Sequence, residues 1–225
     1  MKILYTSLLP RLPFKQHEQE NLEFFRNSTE YYNYQNVFDF CIATAHPNTY
    51  DYLYENIRCH LLCTQFCYDK KMSEERGHEI SYSKMKLFKY VSSIETHDYL
   101  FYIDSDMQID SKDIMELCKS LKDSPDIFVN IPYPLRDLKC VTNTSFGCYI
   151  IPYSILKENP DLYEVIYKTR EADRIIHRVG APDCNIREEL LRRGYKELHA
   201  HSVRIKHYIN ESNYLEYDNG VIKEF

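Results

Sequence analysis

The run Tyr99 to Ile103 (YLFYI) is apolar throughout and ends directly on Asp104-Ser105-Asp106. An unbroken run of strand length, with no polar residue in alternation, is the pattern of a strand covered on both faces. Such strands belong to parallel sheets with helices packed above and below, so this one segment restricts the chain to layered α/β architectures. In open sheets of that kind ligands gather beyond the carboxyl ends of the strands, which is where the two aspartates stand. Two carboxylates converging at a turn suit a hard divalent ion, Mn2+ or Mg2+, that takes oxygen ligands and completes its shell with phosphate and water. The competing reading is a plain turn or helix cap, for which Asp is used freely.

The flanking segments repeat the alternation that such a sheet requires. Met1 to Pro10 (MKILYTSLLP) reads as a strand, since its apolar run is interrupted and lacks the small-residue cleavage site of a signal peptide. Gln16 to Tyr32 reads as an amphipathic helix, and Val37 to Ala45 (VFDFCIATA) as a buried strand stopped by His46-Pro47-Asn48. Asn48 or Thr49 can cap a helix whose apolar positions Tyr50, Leu53, Tyr54, Ile57 and Leu61 follow a 3.6-residue period. Ser81 to Ser93 is a further helix, and Asp110 or Ser111 caps another through Ile114, Leu117 and Leu121. Ile127 to Ile131 and Gly147 to Pro152 read as strands, and Asn185 to Gly194 as a helix with a glycine stop. Together they predict one α/β domain over residues 1–225, with a largely parallel central sheet and helices on both faces.

Composition narrows the partners. A formal net charge of −6 argues against a broad nucleic-acid-binding face, which needs many Lys and Arg contacts to phosphate. No stretch approaches the roughly 18 apolar residues of a membrane span. The eight cysteines are scattered and read as reduced thiols, which places the chain in the cytoplasm of a cell or host cell. Cys59, Cys63 and Cys67 recur every four residues, as on one helix face, and read as small buried positions rather than as a metal cluster.

The segment SYSKMKLFKYVSSIETHDYLFYIDSDMQI resembles the core of the glycosyltransferase A fold, in which a helix precedes an apolar strand and an Asp-x-Asp metal motif. TSFGCYIIPYSIL resembles the loop and strand that line the donor sugar in that superfamily. GAPDCNIREELLRRGYK resembles its later acidic residue and helix, and RIKHY follows where a late histidine completes the metal shell. The resemblance implies a Rossmann-like sandwich and a hexosyl- or pentosyltransferase. Such an enzyme moves a sugar from a UDP- or GDP-linked donor to a hydroxyl on a glycan, protein or small molecule, with Mn2+ or Mg2+.

Carried over residue by residue, the resemblance implies Asp104, Asp106 and His207 at the metal. Asp104 either reaches the metal through water or touches the ribose, and His207 is otherwise a satisfied histidine at a strand end. It implies Thr44, Ala45, Asp69, Lys84, Ser105 and Gly147 at the donor; Lys84 is otherwise a lysine on a solvated helix face. Asp183 is implied as the base of an inverting transfer, and an N-cap role is compatible with that. Ala181-Pro182-Asp183 replaces the usual acidic pair, and NTYDYLYENIRCHLLCTQFCYD resembles retaining members of the fold, so the retaining course stays open. Two other classes compete. A nucleotidyltransferase or pyrophosphorylase would carry a Gly-rich phosphate loop near the start, which a chain with five glycines does not show. A non-catalytic nucleotide-sugar-binding module would keep the fold without the chemistry.

Overall fold

A computed structural model describes residues 1–9, 15–44, 47–56, 60–63, 76–94, 96–135, 140–141, 146–167 and 182–225. In chain order the elements are β1 (Ile3–Leu9), α1 (Gln16–Tyr31), β2 (Phe38–Thr44), α2 (Pro47–Asn56), β3 (His60–Cys63), α3 (Arg76–Ser92) and β4 (Tyr99–Ile103). They continue with β5 (Met107–Ile109), α4 (Ser111–Ser120), β6 (Ile127–Asn130), β7 (Cys148–Pro152), α5 (Tyr153–Glu158) and a 3-10 turn over Leu162–Tyr167. The last are α6 (Pro182–Arg192), β8 (Lys196–His199), β9 (Ile205–Tyr208), β10 (Tyr214–Asp218) and β11 (Val221–Glu224).

Seven strands form the central sheet in the order β3-β2-β1-β4-β7-β6-β8. β3, β2, β1 and β4 are parallel neighbours, as are β6 and β8, and β7 runs antiparallel between β4 and β6. The chain builds outward from β1 through β2 to β3 and then returns to place β4 on the other side of β1. Ile3 to Thr6 pair there with Tyr99 to Tyr102. The reversal makes the gap beyond β1 and β4 the switch point where α/β sheets hold ligands.

The apolar run of β4 is buried at every residue and is shared between two cores, as its composition requires. Tyr99, Phe101 and Ile103 join α1 (Leu22, Phe25) and α4 (Ile114, Met115, Cys118) on one face. Leu100 and Tyr102 join α3 (Leu87, Phe88, Val91) and α6 (Ile186, Leu190) on the other. Asp110 caps α4 by accepting from the Lys112 N–H, and Gly194 ends the α6 segment with a φ of 92° that an L side chain rarely adopts.

Three expectations are corrected. The 3.6-residue pattern does not continue to Leu61: α2 ends at Asn56, and Leu61 lies in β3 opposite Ile42. A short apolar run fits a buried strand as well as a helix face, and pairing with β2 decides it. Cys63 is therefore in a strand, while Cys59 and Cys67 lie outside the described residues. α6 begins at Pro182, whose fixed φ suits a first helical position, so the backbone of Asp183 stands in the first turn and not before it. A second, antiparallel sheet, β11-β10-β9-β5, was not anticipated. Cys118, Cys140 and Cys148 are free thiols, and among the described residues no helix is long and apolar enough to cross a membrane.

Phe101 is fully buried, with its ring 5.6 Å from those of both Tyr5 and Phe25. Phe101→Ala is expected to lower the unfolding free energy by about 3–5 kcal/mol in a urea titration. Tyr54→Ala, at a side chain that is 72% exposed, should stay within about 0.5 kcal/mol.

Candidate functional site

The chain leaves β4 at Asp104 and turns at once into β5. The Asp104 N–H donates to the Gly147 carbonyl at 2.9 Å, and the Asp104 carbonyl accepts from the Met107 N–H at 3.1 Å, which closes the turn. Its carboxylate Oδ1 accepts from the Tyr102 hydroxyl at 2.8 Å and from Lys84 Nζ at 3.0 Å. Lys84 is taken off the solvated face: its side chain is 5% exposed and its ammonium also lies 4.9 Å from the centre of the Tyr102 ring. The Tyr102 ring is itself fixed in a stack, 5.0 Å from Tyr149, which lies 4.0 Å from Phe146. Tyr102 went unrecognised from sequence, although its position two residues before Asp104 puts it on the same strand face.

Gly147 has a steric reason to be glycine. A Cβ built there would lie 2.5 Å from Asp104 Oδ2 and 2.6 Å from the Tyr133 hydroxyl, distances that no real side chain tolerates. The bare backbone lets these two oxygens share one small space at the mouth of the sheet. Beneath it, burial and then the charge of Asp104 push the Cys148 thiol well above its usual range.

Asp106 is held from the second sheet. Its carbonyl accepts from the Tyr208 N–H at 2.9 Å, and the pairing of Met107 with His207 sets the imidazole beside it. His207 Nε2 lies 3.7 Å from Asp106 Oδ1, while Nδ1 lies 2.6 Å from the Pro134 carbonyl oxygen. A carbonyl only accepts, so the proton belongs on Nδ1 and the lone pair of the neutral ring on Nε2, facing Asp106. This is the tautomer a metal ligand needs, with a backbone carbonyl as its outer partner. The Tyr133 ring meets His207 edge-on at 5.3 Å. Tyr133 went unrecognised too, and nothing in its local sequence signals the contact. Among the described residues no three His, Cys, Asp or Glu side chains gather into a ready-made cage. Asp106 and His207 supply one carboxylate oxygen and one imidazole nitrogen, so a divalent ion held there would draw its other ligands from phosphate and water.

Of the three neighbouring histidines, His207 is the one set against Asp106. His201 Nδ1 lies 2.7 Å from the Tyr217 hydroxyl, and His199 Nε2 lies 3.4 Å from Glu197. Ser105, between the aspartates, is fastened to α1: its hydroxyl donates to Glu18 Oε1 at 2.9 Å, and its carbonyl accepts from Asn21 Nδ2 at 3.0 Å. Thr44 ends β2, fully buried, opposite Leu9 at the same edge of the sheet. Tyr5, Ser7, Leu9, Glu18, Ile42 and Ser105 line a small cavity there. Ala45, Asp69 and the side chain of Asp183 lie outside the described residues.

No family model matches the chain, and no curated protein matches it in sequence. Among solved structures, "A197 from STIV" superposes with a TM-score of 0.50 at 13% identity, over 99% of this chain and 93% of that one. A glycosyltransferase involved in the glycosylation of the major capsid of PBCV-1 superposes with a TM-score of 0.51 at 10% identity, over 88% of this chain and 82% of that one. At such identities the likeness speaks for architecture: the chain has the mixed α/β glycosyltransferase A fold.

Proposed function

We propose that this chain is a glycosyltransferase that moves a sugar from a nucleoside-diphosphate donor to a hydroxyl acceptor, with Asp106 and His207 as the residues that hold Mn2+. The observation that carries the reading is the convergence at the switch point of Asp106, His207 Nε2 and the half-buried pair of Lys84 with Asp104. A mixed oxygen and nitrogen donor set suits Mn2+ better than Mg2+, which favours oxygen alone. When bound, the ion supplies positive charge for the departing diphosphate.

The chain's own groups divide the remaining work. Lys84, held by burial against Asp104, offsets that carboxylate's repulsion of the negative charge that develops on the leaving group, with no reorganisation needed. Tyr102 holds the acceptor side of that pair in place. Gly147, lacking a side chain, lets the Asp104 carboxylate and the Tyr133 hydroxyl settle against its main chain. Asp183, in the first turn of α6, is assigned as the base that takes the proton of the acceptor hydroxyl in an inverting displacement.

Calorimetric titration of UDP and GDP with and without Mn2+ tests the reading. One nucleotide should bind in a Mn2+-dependent way, and Asp106→Ala or His207→Ala should each weaken it at least about tenfold. Binding of neither nucleotide in Mn2+ would overturn the proposal. Release of nucleoside diphosphate from a UDP- or GDP-sugar is the expected result; release of pyrophosphate from UTP or GTP with a sugar 1-phosphate, and none of nucleoside diphosphate from the sugars, would assign the nucleotidyltransferase chemistry instead. In the same release assay Lys84→Met should slow hydrolysis of the donor by about 100-fold, with Lys84→Arg intermediate. Gly147→Ala should cut that rate more than it shifts the melting temperature, because the added methyl displaces Asp104 and Tyr133.

A further inference from the structure

Alongside the site runs a groove that none of these roles uses. It encloses about 480 Å³ between α1 on one side and β9 on the other, floored by Gln108 and Ile109 of β5 and by the amino end of α4. That volume lies within the range of small-ligand sites. Phe24 of α1 and Tyr32, which caps the carboxyl end of that helix, stand on its wall eight residues apart, which is about 12 Å along a helix. Phe24 is 40% exposed. Tyr32 is held in place by Tyr31, 4.9 Å away edge-on, and by Tyr34, stacked at 5.8 Å.

The polar lining carries both signs. Lys112, Arg204 and Lys206 face Asp110 and Asp113. Arg204 donates to Glu216 at 2.8 Å, and Lys206 lies 4.8 Å over the Tyr214 ring. Burial first, then the charges of Asp110 and Glu116, raise the Asp113 carboxyl, which marks this end as partly shielded from water. With Arg204 answered by Glu216, Lys112 and Lys206 stand against Asp110 and Asp113, and a wall of balanced charge does not select a phosphate or a polyanion. It presents many hydrogen-bond donors and acceptors around two aromatic rings, which suits a ligand with hydroxyls on its rim and C–H groups on its faces.

The floor of the groove and the Asp-Ser-Asp turn are neighbours along the chain. Gln108 stands two residues beyond Asp106, about 7 Å along a strand. Its side chain donates to Asn21 at 3.4 Å, and Asn21 in turn donates to the Ser105 carbonyl.

We propose that this groove binds a neutral oligosaccharide, the inner residues of the acceptor glycan, with sugar faces on Phe24 and Tyr32 and hydroxyls on Gln108, Asp113 and Arg204. The placement of the chain's reacting end rests on the transferase reading, whereas saccharide binding in the groove does not.

The test uses the full chain, fluorescently labelled, on a printed panel of neutral and anionic oligosaccharides, with the UDP and GDP titrations in Mn2+ run on the same proteins. Wild type should retain a neutral chain of two or more sugars. Phe24→Ala and Tyr32→Ala should each reduce that retention at least tenfold and leave nucleotide binding unchanged. Retention of no panel member, retention of anionic members only, or retention that both variants preserve would overturn the groove. Loss of metal-dependent nucleotide binding in wild type with glycan retention intact would sink the transferase reading and leave the groove standing.

Discussion

A buried ammonium is costly unless a carboxylate answers it, and in this chain Lys84 and Asp104 answer each other at the end of the innermost strand. Much of the local architecture serves that pair. α3 brings Lys84 in from one face of the sheet, β4 delivers Asp104, and the Tyr102 hydroxyl takes up a further share of the same oxygen. Tyr149 and Phe146, stacked behind Tyr102, keep the ring from turning away. The fixed cation offsets the charge of the carboxylate where the strand ends.

Five strands of the central sheet were legible because they carry compact apolar runs, whereas the four-residue edge strands β3 and β8 were not. β4 is buried on both faces, and its residues separate by parity into two cores, as an unbroken run demands. The second sheet was not legible, since MQI and IKHY are too short to show a period and are specified by pairing across the fold. Leu61 shows the same limit from the other side, where a local period continued into a segment that β2 recruits as a strand.

At the site, Asp104 and Asp106 stand out in the sequence because two carboxylates follow an inner strand. His207 could be suggested only by resemblance, because its approach to Asp106 depends on the register of β5 against β9. Tyr133 left no trace, since its contact with His207 and its closeness to Gly147 arise between segments far apart in the chain. α1 is the element whose importance sequence understated. A single helix steadies the Asp-Ser-Asp turn through Glu18 and Asn21 and reaches the start of α4, where the Ser28 hydroxyl oxygen accepts from the Ser111 N–H.

Several of the contacts that aim the site end on main-chain atoms. The Pro134 carbonyl sets the His207 proton, the Gly147 carbonyl anchors Asp104, and the Asp106 carbonyl ties the turn to Tyr208. A carbonyl oxygen survives every point substitution at its own position, so these alignments are inherited with the path of the chain rather than with the identity of its residues. Sequence can then drift very far while the ligand-facing geometry is handed down, provided the few side chains that do the aiming, and the one missing side chain at Gly147, are kept.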